Sequence, residues 1–245
     1  MSQIKYYIFV FFVLLTINFY PQNTFEDDVA LDKGRIEFFI EEADKETQLS
    51  NYYNAITTLE KALVIAEKIG SEKDQGIINS KIANLQYNLE KYQEAMFTII
   101  KAMNIQSRID DKINLAVSRY TCGIIHLAQK EYTKALDYFK SAKTIFEEEN
   151  YNELVAKATL NEAKAHIAQN NLTQANALVD KAIILSKKYN LPVIQSSALI
   201  KSGIIAQKEE KYDRALAQTI EGSNLAKTTG NLDVINESYK ELSSI

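Results

Sequence analysis

His126 and His166 are the only histidines in the chain, and they fall in register with one another. Imidazoles in register could ligate a metal or work as an acid–base pair at neutral pH. No carboxylate recurs beside both, and Gln86 and Ala206 occupy the same position one period to either side. Two ligands on helices about 10 Å apart could barely share one ion. The single Cys122 sits beside Gly123 in an apolar stretch, CGIIHLA, so it reads as a buried, inert thiol. The acidic runs Glu41–Glu46 and Glu147–Asn150 are mixed into helix faces or ends and read as solvated surface. There is no glycine-rich phosphate loop, no nucleophile elbow and no HExxH motif. The expectation is a protein that is not an enzyme and carries no cofactor or metal.

The histidine spacing belongs to a wider period. NYYNAITTLEKALVIAEKIG, KYQEAMFTIIKAMNIQSRID, EYTKALDYFKSAKTIFEEEN, NLTQANALVDKAIILSKKYN and KYDRALAQTIEGSNLAKTTG begin at Asn51, Lys91, Glu131, Asn171 and Lys211, with no insertions between them. A fixed spacing of about 40 residues is the signature of a repeat architecture. The second position is Tyr52, Tyr92, Tyr132, Leu172 and Tyr212. Small residues follow at Ala55, Ala95, Ala135, Ala175 and Ala215, then at Ala62, Ala102, Ala142, Ala182 and Gly222. These positions share one helical face, and small side chains there admit a second helix at close range. The preceding stretch has its own small slot at Ala43, Ala83, Gly123, Ala163, Gly203 and Ser243. Each period therefore holds two helices that touch through small residues, an αα-hairpin. Gly70, Asp110, Asn150, Asn190 and Gly230 close the segments, and these residue types tolerate the left-handed backbone that ends helices. With 7 Gly and 2 Pro in 245 residues, little besides helices and short turns is expected.

IANLQYNLEKYQEAMFTIIKA, CGIIHLAQKEYTKALDYFKSA and SGIIAQKEEKYDRALAQTIEG resemble the tetratricopeptide repeat, which runs small, aromatic, Ala, apolar, Ala. The usual period is shorter, so the extra residues are expected between repeats, in GSEKDQG and DDKINL. The large apolar residue that precedes the small slot in the family is Cys122, Glu162 and Ser202 in three repeats. The resemblance implies an all-α, right-handed superhelical solenoid over residues 28–245. It would contain about eleven helices, as five antiparallel pairs plus a final single helix. It also implies a concave groove lined by the first helix of each pair. There the candidate partner-binding residues are Tyr87, Tyr120, Ile124, Leu127, Leu160, Lys164, Ile167, Ile200 and Lys208, with the lysines as charged selectors. An apolar stripe with a polar rim suits a protein or peptide partner. The basic-and-Asn clamp that some family members use for acidic C-termini is not matched, although Asn84 holds a fitting position.

Net charge is −4, with both signs interspersed and no basic block, so nucleic acid is not an expected partner. At the N-terminus, Lys5 precedes an apolar or neutral run from Tyr6 to Ile17. That run is too short for the roughly 30 Å of a bilayer core. Residues 1–22 therefore read as a secretory signal peptide, or as an N-terminal anchor if uncleaved. Only the uncleaved form would bring the chain to a membrane. The expected localisation is export, to the periplasm of a Gram-negative bacterium, or anchorage in the inner membrane facing it. Residues 234–245 read as a first helix with no second. Two functions follow: an exported interaction scaffold, or the sensory front part of a signalling protein whose array and output domain continue beyond Ile245.

Overall fold

The computed structural model describes residues 24–245. Among them are eleven helices: α1 (Thr24–Gln48), α2 (Tyr52–Lys68), α3 (Glu72–Asn88), α4 (Tyr92–Arg108), α5 (Lys112–Ala128), α6 (Tyr132–Glu148), α7 (Asn152–Ala168), α8 (Leu172–Lys188), α9 (Pro192–Lys208), α10 (Tyr212–Thr229) and α11 (Leu232–Leu242). The leader expected at residues 1–22 lies outside the described residues.

A shorter beat underlies the repeat. From α2 onward, a new helix begins at every half-period, at Tyr52, Glu72, Tyr92, Lys112 and so on to Leu232. Helices α2 to α9 are uniform, each of 17 residues. GSEKDQG and DDKINL are therefore not linkers. Gly70 and Ser71 complete a turn and Glu72 already starts α3; Lys112 starts α5. The residues beyond the usual repeat length extend helices instead of loops.

The turns explain the beat. Backbone φ is positive at Ser50, Gly70, Glu90, Asp110, Lys130, Asn150, Asn170, Asn190, Glu210 and Gly230. At Gly70 the N–H donates to Glu67 O at 3.1 Å, and Ser71 N–H donates to Ala66 O at 2.9 Å. This is the Schellman arrangement, which satisfies carbonyls otherwise orphaned at a helix end. The same pair of bonds recurs at every turn up to Glu210. Half of these positions were expected from their Gly, Asn or Asp. Ser50, Glu90, Lys130 and Glu210 give no such signal, because surrounding geometry imposes the conformation on them.

Each helix packs on the next, and the odd-numbered helices also touch one another in sequence: α1 on α3, α3 on α5, α5 on α7, α7 on α9, α9 on α11. The even-numbered helices make no such approach to each other. Closer spacing in the odd layer curves the stack, with α1, α3, α5, α7, α9 and α11 on the inside. The small slots make the pairing possible. Ala55, Ala95, Ala135, Ala175 and Ala215 are fully buried, as are Ala62, Ala102, Ala142 and Ala182. Between the two Ala positions of the outer helices, Leu59, Ile99, Phe139, Val179 and Thr219 fill the centre of each pair. The largest, Phe139, faces a glycine slot: a Cβ on Gly123 would lie 2.6 Å from its ring.

The unusual residues before the small slots are all taken into the core. Cys122 is fully buried, Ser202 is buried, and Glu162 is 3% exposed but ion-paired to Lys143 Nζ at 2.5 Å. At the far end the small slot lapses. Ser243 is exposed and only caps α11, because no further helix follows it among the described residues.

Candidate interaction groove

The inner layer is held by polar contacts between successive odd-numbered helices. Lys81 Nζ on α3 donates to Asp44 Oδ1 on α1 at 2.7 Å. Ser118 Oγ on α5 donates to Ser80 Oγ on α3 at 3.2 Å. Asn161 Nδ2 on α7 donates to the Tyr120 hydroxyl on α5 at 2.5 Å. Lys201 on α9 pairs with Glu237 on α11, and Gln207 Nε2 donates to Ser244 O at 2.8 Å. In each case the partners lie close to one repeat apart in the chain.

The structure divides the candidate groove residues into two groups. Ile200 is 0% exposed, Leu160 5% and Ile167 8%. Each belongs to a core cluster: Leu160 with Ala156 and Ala182, Ile167 with Ala163 and Val179, Ile200 with Ala226 and Val234. These three hold the helices together and are not available as partner anchors. Inner helices contact both their own partner helix and the next inner helix, so this part of the stripe is closed. Tyr120 is half-buried, with its ring centroid 5.7 Å from Phe139 and 6.5 Å from Phe146. Burial pushes its phenol far above the usual tyrosine range. It is a packing residue with one edge at the groove. Tyr87, Ile124, Leu127 and Lys164 remain partly accessible, and Lys208 is exposed. A cleft lined by Glu153, Lys157, Pro192, Val193 and Ile194 adjoins Lys157 at the start of α7 and α9.

Lys164 stands out electrostatically. Burial, followed by the nearby Lys201 charge, lowers its ammonium to about 8. No hydrogen bond or ion pair reaches its Nζ among the described residues. Glu241 is pushed the opposite way, its pKa raised chiefly by burial, and its Oε1 is buried with no hydrogen-bond partner.

The chemistry-bearing residues have structural roles. His126 stacks on Tyr138 at 5.3 Å, and its Nδ1 donates to Glu131 Oε2 at 2.6 Å. His166 has Asn171 where that carboxylate would stand; its Nδ1 is buried without a partner, and burial lowers its pKa. Among the described residues, no three His, Cys, Asp or Glu side chains are grouped to hold a metal ion. Burial pushes the Cys122 thiol up to about 11, so it is protonated at neutral pH. No helix among the described residues is long and apolar enough to cross a membrane.

A tetratricopeptide repeat model matches residues 74–148. The fold is a TPR-like solenoid. Its architecture is similar to that of a Rap protein solved in complex with competence and sporulation factor (TM-score 0.72, 17% identity, covering 93% of this chain and 71% of that one). It is also similar to BtubC from P. vanneervenii (TM-score 0.65, 15% identity, 85% and 93% covered). A third likeness is to kinesin light chain TPR-like repeats from Podosopora anserina (TM-score 0.63, 15% identity, 80% and 96% covered). No curated protein sequence matches the chain. The likeness covers the arrangement of helix pairs.

Proposed function

We propose that this protein is a non-enzymatic scaffold that holds a protein or peptide segment against its inner face. One observation carries the reading. The inner helices present Tyr87, Ile124 and Leu127 as partly accessible apolar side chains in neighbouring repeats, although burying them would have stabilised the fold. Lys164 and Lys208 border that strip on α7 and α9. A peptide lying across the inner helices would cover the apolar strip and meet these cations. The similar Rap structure, solved in complex with competence and sporulation factor, is a stack of this kind that holds a partner. The proposal includes export, resting on the charged start and apolar run of residues 5–17.

Affinity capture with Ile124→Ser plus Leu127→Ser tests the groove. The pair is expected to keep its helical circular dichroism and lose the co-purifying partner. Undiminished recovery of the partner would remove the groove from the account. Export is tested by sequencing the N-terminus of protein from the envelope fraction. A start near Asn23 is expected, and a cytosolic chain beginning at Met1 would contradict it.

A further inference from the structure

Helix α1 leaves bare a face that every later inner helix has covered. Phe38 is 60% exposed, whereas Ile78, Ser118, Ala158, Ala198 and Ser238, which hold its repeat position, are all 0% exposed. Leu31, two turns before Phe38, is 66% exposed. Gly34 lies between them. The other glycines inside helices are Gly76, Gly123, Gly203 and Gly222, and at each an added Cβ would meet a neighbouring helix at 3.0 Å or less. An internal glycine in this fold thus marks a close helix approach. Gly34 has nothing within 4 Å of that position. Glycine weakens a helix interior, and no packing among the described residues accounts for this one.

The charges on this face say what covers it. At about 3.6 residues per turn, Leu31, Gly34, Phe38 and Lys45 share the face, and Arg35 and Glu42 stand two turns apart on one flank of it. The positions of Glu42 and Lys45 are buried in the later inner helices, as Ile82, Cys122, Glu162 and Ser202 and as Leu85, Ile125, Ala165 and Ile205. An apolar helix laid here would bury a carboxylate and an ammonium that have no ion-pair partner among the described residues. We propose that the occupant is a second copy of this chain, with the two α1 helices antiparallel about a two-fold axis beside Phe38. Residues on the same flank face each other across such a pair. Arg35 of each copy then meets Glu42 of the other, because the two lie three and four positions to either side of Phe38. Arg35 holds Asp32 at 3.0 Å and has further N–H donors for a second carboxylate. Phe38 packs on its own symmetry mate, Gly34 lets the helices close in, and the Lys45 stem lies on Leu31 of the other copy with its ammonium in water. The inner groove takes no part in this contact, so failure of either reading leaves the other standing.

Sedimentation equilibrium on the full chain tests the pairing. A single helix-on-helix contact is a small interface, so a dimer in the micromolar range is expected. Glu42→Arg and Arg35→Glu each set like charges against each other twice per dimer, and each should weaken dimerisation by at least about tenfold. Mixed in equal amounts, the two variants restore both opposite-charge pairs in a heterodimer, which should return to within about threefold of wild type. Phe38→Asp should abolish the dimer. Phe38 is exposed in the single chain, so the helical circular dichroism of this variant should be unchanged. A monomer at every concentration up to about 100 µM, a dimer indifferent to Phe38→Asp, or a mixture no tighter than the single variants would overturn the assignment. A monomer in which Phe38→Cys is nonetheless shielded from a charged thiol reagent would also overturn it and give the face to another segment of the same chain.

Discussion

Replacing Lys164 with Met should stabilise the protein, and the reason can be worked through. Lys164 lies on α7 between α9 and the rest of the inner layer, with no partner for its ammonium among the described residues. Its pKa falls from the ordinary 10.5 to about 8, first through burial and then through Lys201. A shift of that size corresponds to about 3 kcal/mol between protonation states. Lys164 still reaches water along the groove, so screening reduces the net penalty to about 1–2 kcal/mol. The folded pKa is below the unfolded one. Between about 8 and 10.5 the unfolded chain therefore binds more protons, and wild-type stability from this group rises with pH across that window. Below pH 8 the full penalty applies. Urea unfolding followed by far-ultraviolet circular dichroism should show Lys164→Met more stable at about pH 7, with the advantage shrinking towards about pH 10. Lys208→Met, on the same face but exposed, should change stability by less than about 0.5 kcal/mol. A loss of stability in Lys164→Met would refute the reasoning. So would a gain that stays constant over the pH range, because that would come from apolar burial and not from the charge.

Gly123→Ala should cost about 1–3 kcal/mol in urea unfolding, since its Cβ would press on the Phe139 ring. Phe139→Leu in the same chain should recover most of that loss, and additive losses would contradict the close approach. Glu90→Gly and Lys130→Gly should each raise stability by about 0.5–1 kcal/mol, because both residues hold a left-handed backbone that glycine adopts without strain; thermal unfolding checks this, and lowered midpoints would count against it. Cys122 should resist an aromatic disulfide reagent at about pH 8 until the protein unfolds, since it is buried and its thiol is held at about 11. Rapid labelling of the native protein would contradict that environment.

The repeat architecture was legible because packing constrains it at many positions at once. A fully buried Ala or Gly recurring once per period leaves little choice but paired helices. The helix count and the packing slots followed from that constraint. The half-period beat was hidden, since Ser50, Glu90, Lys130 and Glu210 look like ordinary surface residues and their backbone is dictated by neighbouring hydrogen bonds. The groove was only half legible. Family position alone put Leu160, Ile167 and Ile200 on the open face, but their exposure depends on how tightly successive inner helices approach, which no single repeat encodes. The reverse holds for Glu241. Its Oε1 is buried with no hydrogen-bond partner, while Glu237 on the same helix pairs with Lys201, a difference in side-chain packing that spacing cannot show. The histidine pair looked like chemistry only because the repeat places the two in register. Glu131 and Tyr138 account for His126, and nothing comparable surrounds His166.

The claim that the inner face holds a partner is tested most directly by site-specific photo-crosslinking in the native host. A benzophenone side chain would replace Leu127 on the inner helix α5 in one strain. In another it would replace Val64, which is 65% exposed on the outer helix α2. Irradiation should give a discrete crosslinked band from position 127 and none from position 64. A band from position 64 alone, or the same band from both, would contradict binding in the groove.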